Sequence, residues 1–380
     1  MTLKEFFKQL YEQAVVHDFV NNVQANFQIR NRVYLGAQYL PLVSTGERGN
    51  MFREDGFEMI SSIAYDGTRY SDIPVRKAGR GKGMIIELGA NDKGTYIEGP
   101  DFDALVKRLN QNLTPEALAQ LLDLVGTHVV QPLTEIIEKQ RWQALADARI
   151  IRIGDNDYGE EILFENPVGH RVTVASGTDA APAGWYDPTH DPMADIYALA
   201  QTLQDAGYEP TAIITSSRMV NLLSNHPKVK ASLGRVVQDP TTSNLVTTGG
   251  RARLAEINGL LSEDSLPPLQ TYNLRYVDHD GSQKRFLRDD ALVMLSTDPV
   301  DPTYVEPDTL LEPTALGYVG NGITAGRTEN GRTVALKVNS VEQQEIKNPN
   351  VHAVGTQMTL PILLRSKAVG CLNIPAKAAA

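Results

Sequence analysis

Residues 114–148, TPEALAQLLDLVGTHVVQPLTEIIEKQRWQALADA, are the stretch around which the chain is organised. Thr114-Pro115-Glu116 reads as a helix start: a hydroxyl cap, a proline in the first turn and an acid at the positive end of the dipole. Leu118, Leu121, Leu122, Val125, Val129, Leu133, Ile136 and Ile137 recur at three- and four-residue spacing and so share one face. Glu135, Glu138, Lys139 and Arg141 fall mostly off that face. Unbroken, the helix is about 50 Å long at ~1.5 Å per residue, several times an ordinary globular helix. Gly126 and Pro132 lie inside it. The pattern allows either one bent rod or two helices meeting at Pro132, since an interior proline costs roughly 3 kcal/mol. A single rod is a spine with sheet packed along one side.

The other bulk properties limit the choices. A chain of 380 residues holds two or three folding units, and 42% hydrophobic residues supply a sizeable core. The single cysteine, Cys371, excludes an intrachain disulfide framework. No secretory signal and no bilayer-spanning apolar run is legible. A net charge of −10 argues against a general nucleic-acid binder.

Around the spine the chain alternates between segments that can fold and segments that cannot. Residues 1–24 read as an amphipathic helix through Leu3, Phe6, Phe7, Leu10, Ala14 and Val15, which needs a partner surface. Residues 27–50 show no clear period. Phe57–Ile60 and Met84–Leu88 read as two strands of a projecting arm. Between them Tyr65–Gly83 is polar and carries Arg69, Arg76, Lys77, Arg80 and Lys82. After the spine, Ile150–Ile153 and Glu161–Phe164 form a hairpin, and Arg171–Val174 continues the same sheet.

A composition shift at 175–192 marks a crossover into a second, α/β unit. It has helices at Asp195–Asp205, from Ser216 or Ser217 to Leu223, and at Ala252–Leu261. Its strands are Ala212–Thr215, Gln270–Val277, Lys284–Leu287 and Ala291–Leu295, and 234–250 reads as a polar loop. Prolines 299, 302, 307 and 313 mark the return. The strands Thr333–Val338, Gln357–Leu364 and Val369–Ile374 are then expected to complete the first unit's sheet.

Candidate chemistry is sparse. Asp187, His190, Asp191 and Asp195 could serve a cation but lack ligand spacing, and acids there suit helix caps. Ser216 and His226 lack a GxSxG elbow and a third group. Gly79-Arg80-Gly81-Lys82-Gly83 has no phosphate-loop spacing, and Gly317, Gly320, Gly322 and Gly326 no dinucleotide context. Cys371, Trp142 and Trp185 read as packing residues. No catalytic, cofactor-binding or metal residue is assigned. Two segments unable to fold alone, and no site, favour a chain that contacts its own copies.

One resemblance joins these parts. Gln140-Arg141-Trp142-Gln143-Ala144-Leu145-Ala146-Asp147-Ala148-Arg149-Ile150 resembles the end of the spine helix in the lambda-type (E family) major capsid proteins of tailed phages. Trp185, Asp191-Pro192-Met193-Ala194-Asp195-Ile196, Gly207-Tyr208-Glu209-Pro210 and Ile213-Ile214-Thr215-Ser216-Ser217-Arg218-Met219 follow that family's order, and Asn348-Pro349-Asn350-Val351 is similar to its C-terminal segment. The likeness covers roughly residues 50–370. Ala148 stands where a glycine is expected, which would extend the helix.

The resemblance implies an α+β chain with the Hong Kong 97 phage capsid fold. Residues 1–50 become an N-terminal arm and 51–99 an extended β-hairpin loop; 100–174 with 306–380 become a peripheral domain, and 175–305 an axial domain. It implies a structural, non-enzymatic shell protein of pentamers and hexamers around double-stranded DNA, located in the virion and assembled in the host cytoplasm. Its expected partners are its own copies, a separate scaffolding protein, a portal and a decoration protein, with DNA met only nonspecifically. No cofactor, membrane or covalent crosslink is expected. Arg69, Arg76, Lys77, Arg80 and Lys82 are the expected inter-subunit contacts, lying across an acidic neighbour. An encapsulin-like nanocompartment shell and, in another class, a hydrolase are the alternatives.

Overall fold

A computed structural model describes residues 5, 32–45, 49–57, 82–111, 113–154, 159–178, 181–234, 236–238, 245–247, 250–297, 316–324, 331–339 and 350–377. The expected helix at 1–24 and the prolines at 299, 302, 307 and 313 lie outside them.

The spine is one continuous rod. It runs as α-helix over Thr114–Val125, as one π turn over Gly126–Val130, and again as α-helix over Gln131–Asp147. Val125, Gly126, Val130 and Gln131 all keep right-handed helical angles. Pro132 therefore does not break the rod. Proline has no N–H, and the π turn just before it shifts the pairing, so that the Gln131 amide donates to the Gly126 carbonyl. Thr114 is the first helical residue and makes no cap bond; Leu113 stands at the cap position. Ala148 does not extend the helix. It ends it in the left-handed region, at φ 51° and ψ 31°, which costs a non-glycine residue roughly 1–2 kcal/mol.

Two five-stranded sheets pack on this rod. The first runs in the order Leu42–Ser44, Gly317–Asn321, Asn350–Leu363, Arg332–Asn339, with Ala90–Ile97 paired to the free side of Asn350–Leu363. Along Asn350–Leu363 the buried residues alternate, so Val351, Ala353 and Gly355 face inward. There they meet Leu121, Val125, Val129 and Leu133, the 3.6-period stripe of the rod's first half.

The second sheet runs Leu269–Thr271, Ala212–Thr215, Ala291–Leu295, Val369–Asn373, Arg171–Thr173. Ile213, Leu292, Met294 and Leu372 pack under the helices Pro192–Asp205, Ser217–Asn225 and Leu254–Glu263. Ile214, Val293 and Cys371 belong instead to the cluster containing Trp142 and Leu145 of the rod's second half. Central strands covered on both faces explain the uninterrupted burial of Ala212–Thr215 and Ala291–Leu295.

Two strands differ from expectation. Arg171–Thr173 and Val369–Asn373, expected in the first unit's sheet, pair with each other and, through Ala291–Leu295, complete the second. Their apolar residues suit either sheet; only the return path of the chain chooses. Ala90–Ile97 is a strand that no hydrophobic alternation announces, held by register to Val351–Met358. Gln270–Val277 is two strands, Leu269–Thr271 and Arg275–Val277, split where Tyr272 turns inward. The loop 234–250 contains a short ribbon, Val236–Gln238 against Leu245–Thr247.

Candidate functional site

Arg69, Arg76, Lys77 and Arg80 lie outside the described residues, and Lys82 opens the strand Lys82–Glu87. That strand pairs with Met51–Phe57, so the base of the expected extended hairpin is a two-stranded ribbon.

The groups with latent chemistry are committed to structure. Ser216 caps Ser217–Asn225, and its hydroxyl donates to the Asp289 carbonyl at 2.6 Å. His226 Nε2 donates to the Asp187 carbonyl at 3.1 Å, while its Nδ1 accepts the Lys228 amide at 3.3 Å. That pair of bonds fixes the neutral ring, and burial lowers its pKa. Asp191 caps Pro192–Asp205 through the Met193 amide. Asp195 Oδ2 accepts Trp185 Nε1–H at 2.7 Å and lies 2.8 Å from His190 Nε2. Among the described residues no group of His, Cys, Asp and Glu could hold a metal ion. The Cys371 thiol is buried and pushed up to about 12 by desolvation, so it is a core residue and a poor nucleophile.

An open groove of about 560 Å³ runs between the rod and the ribbon Arg275–Arg285. Most of its cations face acids: Lys139 to Asp278 at 3.3 Å, Lys284 to Asp278 at 2.5 Å, Arg285 to Asp289 at 2.8 Å and Arg288 to Asp147 at 2.9 Å. It holds charge pairs and no converging reactive group.

Among the described residues a dense polar arrangement lies beneath that groove, in the core. Glu138 is completely buried. Its Oε1 accepts three donors at 2.8 Å each: the Gly36 amide, the Trp142 indole N–H and the Tyr272 hydroxyl. Its Oε2 accepts from Arg141 at 3.3 Å, and Arg141 Nε donates onward to the Leu40 carbonyl at 2.9 Å. One carboxylate thus joins the segment 36–40, the spine and the edge of the second sheet. A Cβ on Gly36 would fall 2.9 Å from both carboxylate oxygens, so only glycine lets the backbone approach this closely. Burial and the neighbouring carboxylate raise the Tyr272 pKa far above its usual range, which keeps its hydroxyl a donor. The amphipathic pattern placed Glu138 and Arg141 off the buried face. They are buried because the segment 36–40 and the strands around Tyr272 cover that side of the rod's second half, and Gln131 and Gln140 are buried with them. The available signal is Glu138-x-x-Arg141-Trp142, a carboxylate with a cation and an indole N–H one turn later.

A second anchor holds the π turn. Arg332 donates to Gln357 Oε1 at 2.6 Å, to Thr134 Oγ1 at 3.1 Å and to the Val130 carbonyl at 3.4 Å. Burial lowers its pKa to about 10, so it remains a cation at neutral pH. Beside it, a Cβ on Gly355 would meet Val129 Cγ1 at 2.5 Å and Leu133 Cδ1 at 2.8 Å.

The comparisons agree with this geometry. The family model for phage major capsid protein E matches residues 116–338, more than half of the chain. The chain belongs to that family. The match runs from the spine through the second sheet into the strand Arg332–Asn339. A solved structure titled as the capsid protein of a prophage in E. coli CFT073 covers 94% of this chain and 99% of its own, at 14% identity and a TM-score of 0.53. A phage-related protein of Bordetella bronchiseptica RB50 covers the same shares at 14% identity and a TM-score of 0.44. No curated protein sequence matches the chain.

The chain therefore has the Hong Kong 97 phage capsid fold, with mixed helix and sheet, and its role as a phage major capsid protein is structural. Its place is the capsid of the virion. Both anchors then belong to the body of a capsid subunit, where they fix the rod to what surrounds it. Among the described residues no helix is long and apolar enough to cross a membrane.

Proposed function

We propose that copies of this chain assemble as pentamers and hexamers into an icosahedral head enclosing double-stranded DNA, in the host cytoplasm. A scaffolding protein, a portal and a decoration protein are the proposed partners. The family match over residues 116–338 carries this reading. The acidic balance, −10 over the chain, supports a wall that does not bind its packaged DNA tightly. Residues 1–50 act as the arm, 51–99 as the extended loop, 100–174 with 306–380 as the peripheral domain and 175–305 as the axial domain. The strands Arg171–Thr173 and Val369–Asn373 cross that division and lend themselves to the axial sheet.

Assembly proceeds through many modest contacts, each worth about 25 cal/mol per Å² of buried apolar area before ordering costs. The cations Arg69, Arg76, Lys77, Arg80 and Lys82 set register against a neighbouring copy. The test is expression of the chain, followed by negative-stain imaging. Wild type gives closed shells; Arg76→Glu with Lys77→Glu gives soluble subunits and no shells. Wild-type protein that stays monomeric and turns over an ester or phosphate substrate would overturn the reading in favour of a hydrolase. Terminase and portal genes beside this one separate a phage head from a nanocompartment shell, whose neighbour would be an oxidative-stress enzyme.

A further inference from the structure

The hairpin that follows the spine pairs Arg149–Ile153 with Gly159–Leu163, and its two faces differ sharply. Ile150 points inward and is fully buried. Arg152, on the same side, donates to the Ala90 carbonyl at 2.8 Å and to Glu160 at 2.9 Å. The outward side carries Arg149, Ile151, Ile153, Glu161 and Leu163. Ile151 is 39% exposed, Ile153 65% and Leu163 69%. Three large aliphatic side chains on one face of a ribbon form a patch that a soluble surface ordinarily avoids. Arg149 and Glu161 lie on the same face, 3.1 Å apart and about half exposed.

We propose that this outward face is a twofold contact between two copies of the chain, a contact that rests on the shell role proposed above. The face carries one cation at its end, Arg149, one carboxylate in its middle row, Glu161 opposite Ile151, and aliphatic side chains in every row, so it can serve as its own complement. A copy turned by a twofold axis offers a carboxylate to each guanidinium and an aliphatic surface to each aliphatic surface. It has no excess positive charge with which to hold a polyanion.

Its size fits the same occupant. Five residues at ~3.4 Å and two strands ~4.8 Å apart make a face with a footprint on the order of 100–200 Å². A stable free-standing complex needs about 800 Å² from each partner. The face is therefore too small to hold a dimer in dilute solution and large enough to be one contact among many in a shell. It closes when other interfaces have already brought the copies together.

A cysteine introduced in the middle row of the face reads this directly. Cys371 is buried, so it adds no background. Shells assembled from Ile151→Cys protein, oxidised with copper phenanthroline and run on a non-reducing gel, should show a disulfide-linked dimer that the dilute subunit does not show. Closed shells that run only as monomer would overturn the proposal. A charge exchange tests it independently. Glu161→Arg should lower shell yield at least tenfold with the circular dichroism of the subunit unchanged, and Arg149→Glu with Glu161→Arg should restore it. Wild-type yield from Glu161→Arg alone would overturn it. If wild type itself forms no shells under the same conditions, the shell reading falls, and this inference with it.

Discussion

The Tyr272 hydroxyl donates to Glu138 at 2.8 Å across 134 residues of sequence. That bond, the stacking of Tyr272 on Trp142 at 5.2 Å, and the Gly36 amide on the same carboxylate oxygen tie two separate segments to the spine. Glu138→Gln leaves Arg141 buried without a counter-charge and turns an amide N–H₂ toward a guanidinium. The expected loss is about 3–5 kcal/mol, read by chemical denaturation of the subunit. Tyr272→Phe removes one donor from a charged acceptor and should cost only about 1.5–3 kcal/mol. Equal losses from both variants would show that the carboxylate is not the centre of the network.

Gly355 is the hole in the first sheet into which the π turn fits. Gly355→Ala should destabilise by about 1–3 kcal/mol through overpacking against Val129 and Leu133. Gly259 is the control, since it lies in the helix Leu254–Glu263 with open space where a Cβ would stand. Gly259→Ala should stabilise by about 0.4–1 kcal/mol. Thermal unfolding of the two variants should move in opposite directions.

His226 couples stability to pH. Its folded pKa is lowered by burial, and its Nδ1 must stay unprotonated to accept the Lys228 amide. A lowered folded pKa for a base means that the unfolded chain takes up the proton first as pH falls. The contribution is therefore complete above about 6.5 and is lost as pH falls through the folded value below it. Hydrogen-exchange protection across 217–232, taken relative to the intrinsic rate at each pH, should fall between pH 7.5 and 5.5 in wild type. His226→Asn, which can still cap the short helix Pro227–Ser232, should remove that difference.

Ala148 ends the spine with a left-handed backbone while its methyl is buried. Ala148→Gly relieves about 1–2 kcal/mol of backbone strain but gives up a buried methyl worth about 0.8 kcal/mol and adds entropy to the unfolded chain. The net change should be within about 1 kcal/mol of zero. Ala148→Val has no such offset, because a β-branched residue is strongly disfavoured at positive φ, and it should destabilise by more than 2 kcal/mol in equilibrium unfolding.

The parts legible in the sequence are those governed by local periodicity. The spine's apolar stripe, the buried strands Ala212–Thr215 and Ala291–Leu295 and the capping chemistry at Asp191 and Ser216 each involve a few neighbouring residues. What was missed depends on distant chain. Ala90–Ile97 has no alternation of its own and becomes a strand because Val351–Met358 offers it a ladder. Glu138 and Arg141 look like solvent-facing charges until what covers that side of the rod's second half is known. The loop cations Arg69, Arg76, Lys77 and Arg80 lie outside the described residues, so their assembly role stands on charge pattern and resemblance.

By itself, then, the sequence determined the apolar stripe of the spine, the α+β character and the capsid family, because helix period and motif order are written along the chain. Tertiary structure alone decided that Pro132 sits behind a π turn instead of a break, that Val369–Asn373 joins the second sheet, and that Glu138 binds three segments. Each of these turns on which distant surface supplies a missing hydrogen bond or covers an apolar face. Those are properties of the packed chain, because a backbone donor or a buried carboxylate is satisfied by whatever the fold brings beside it.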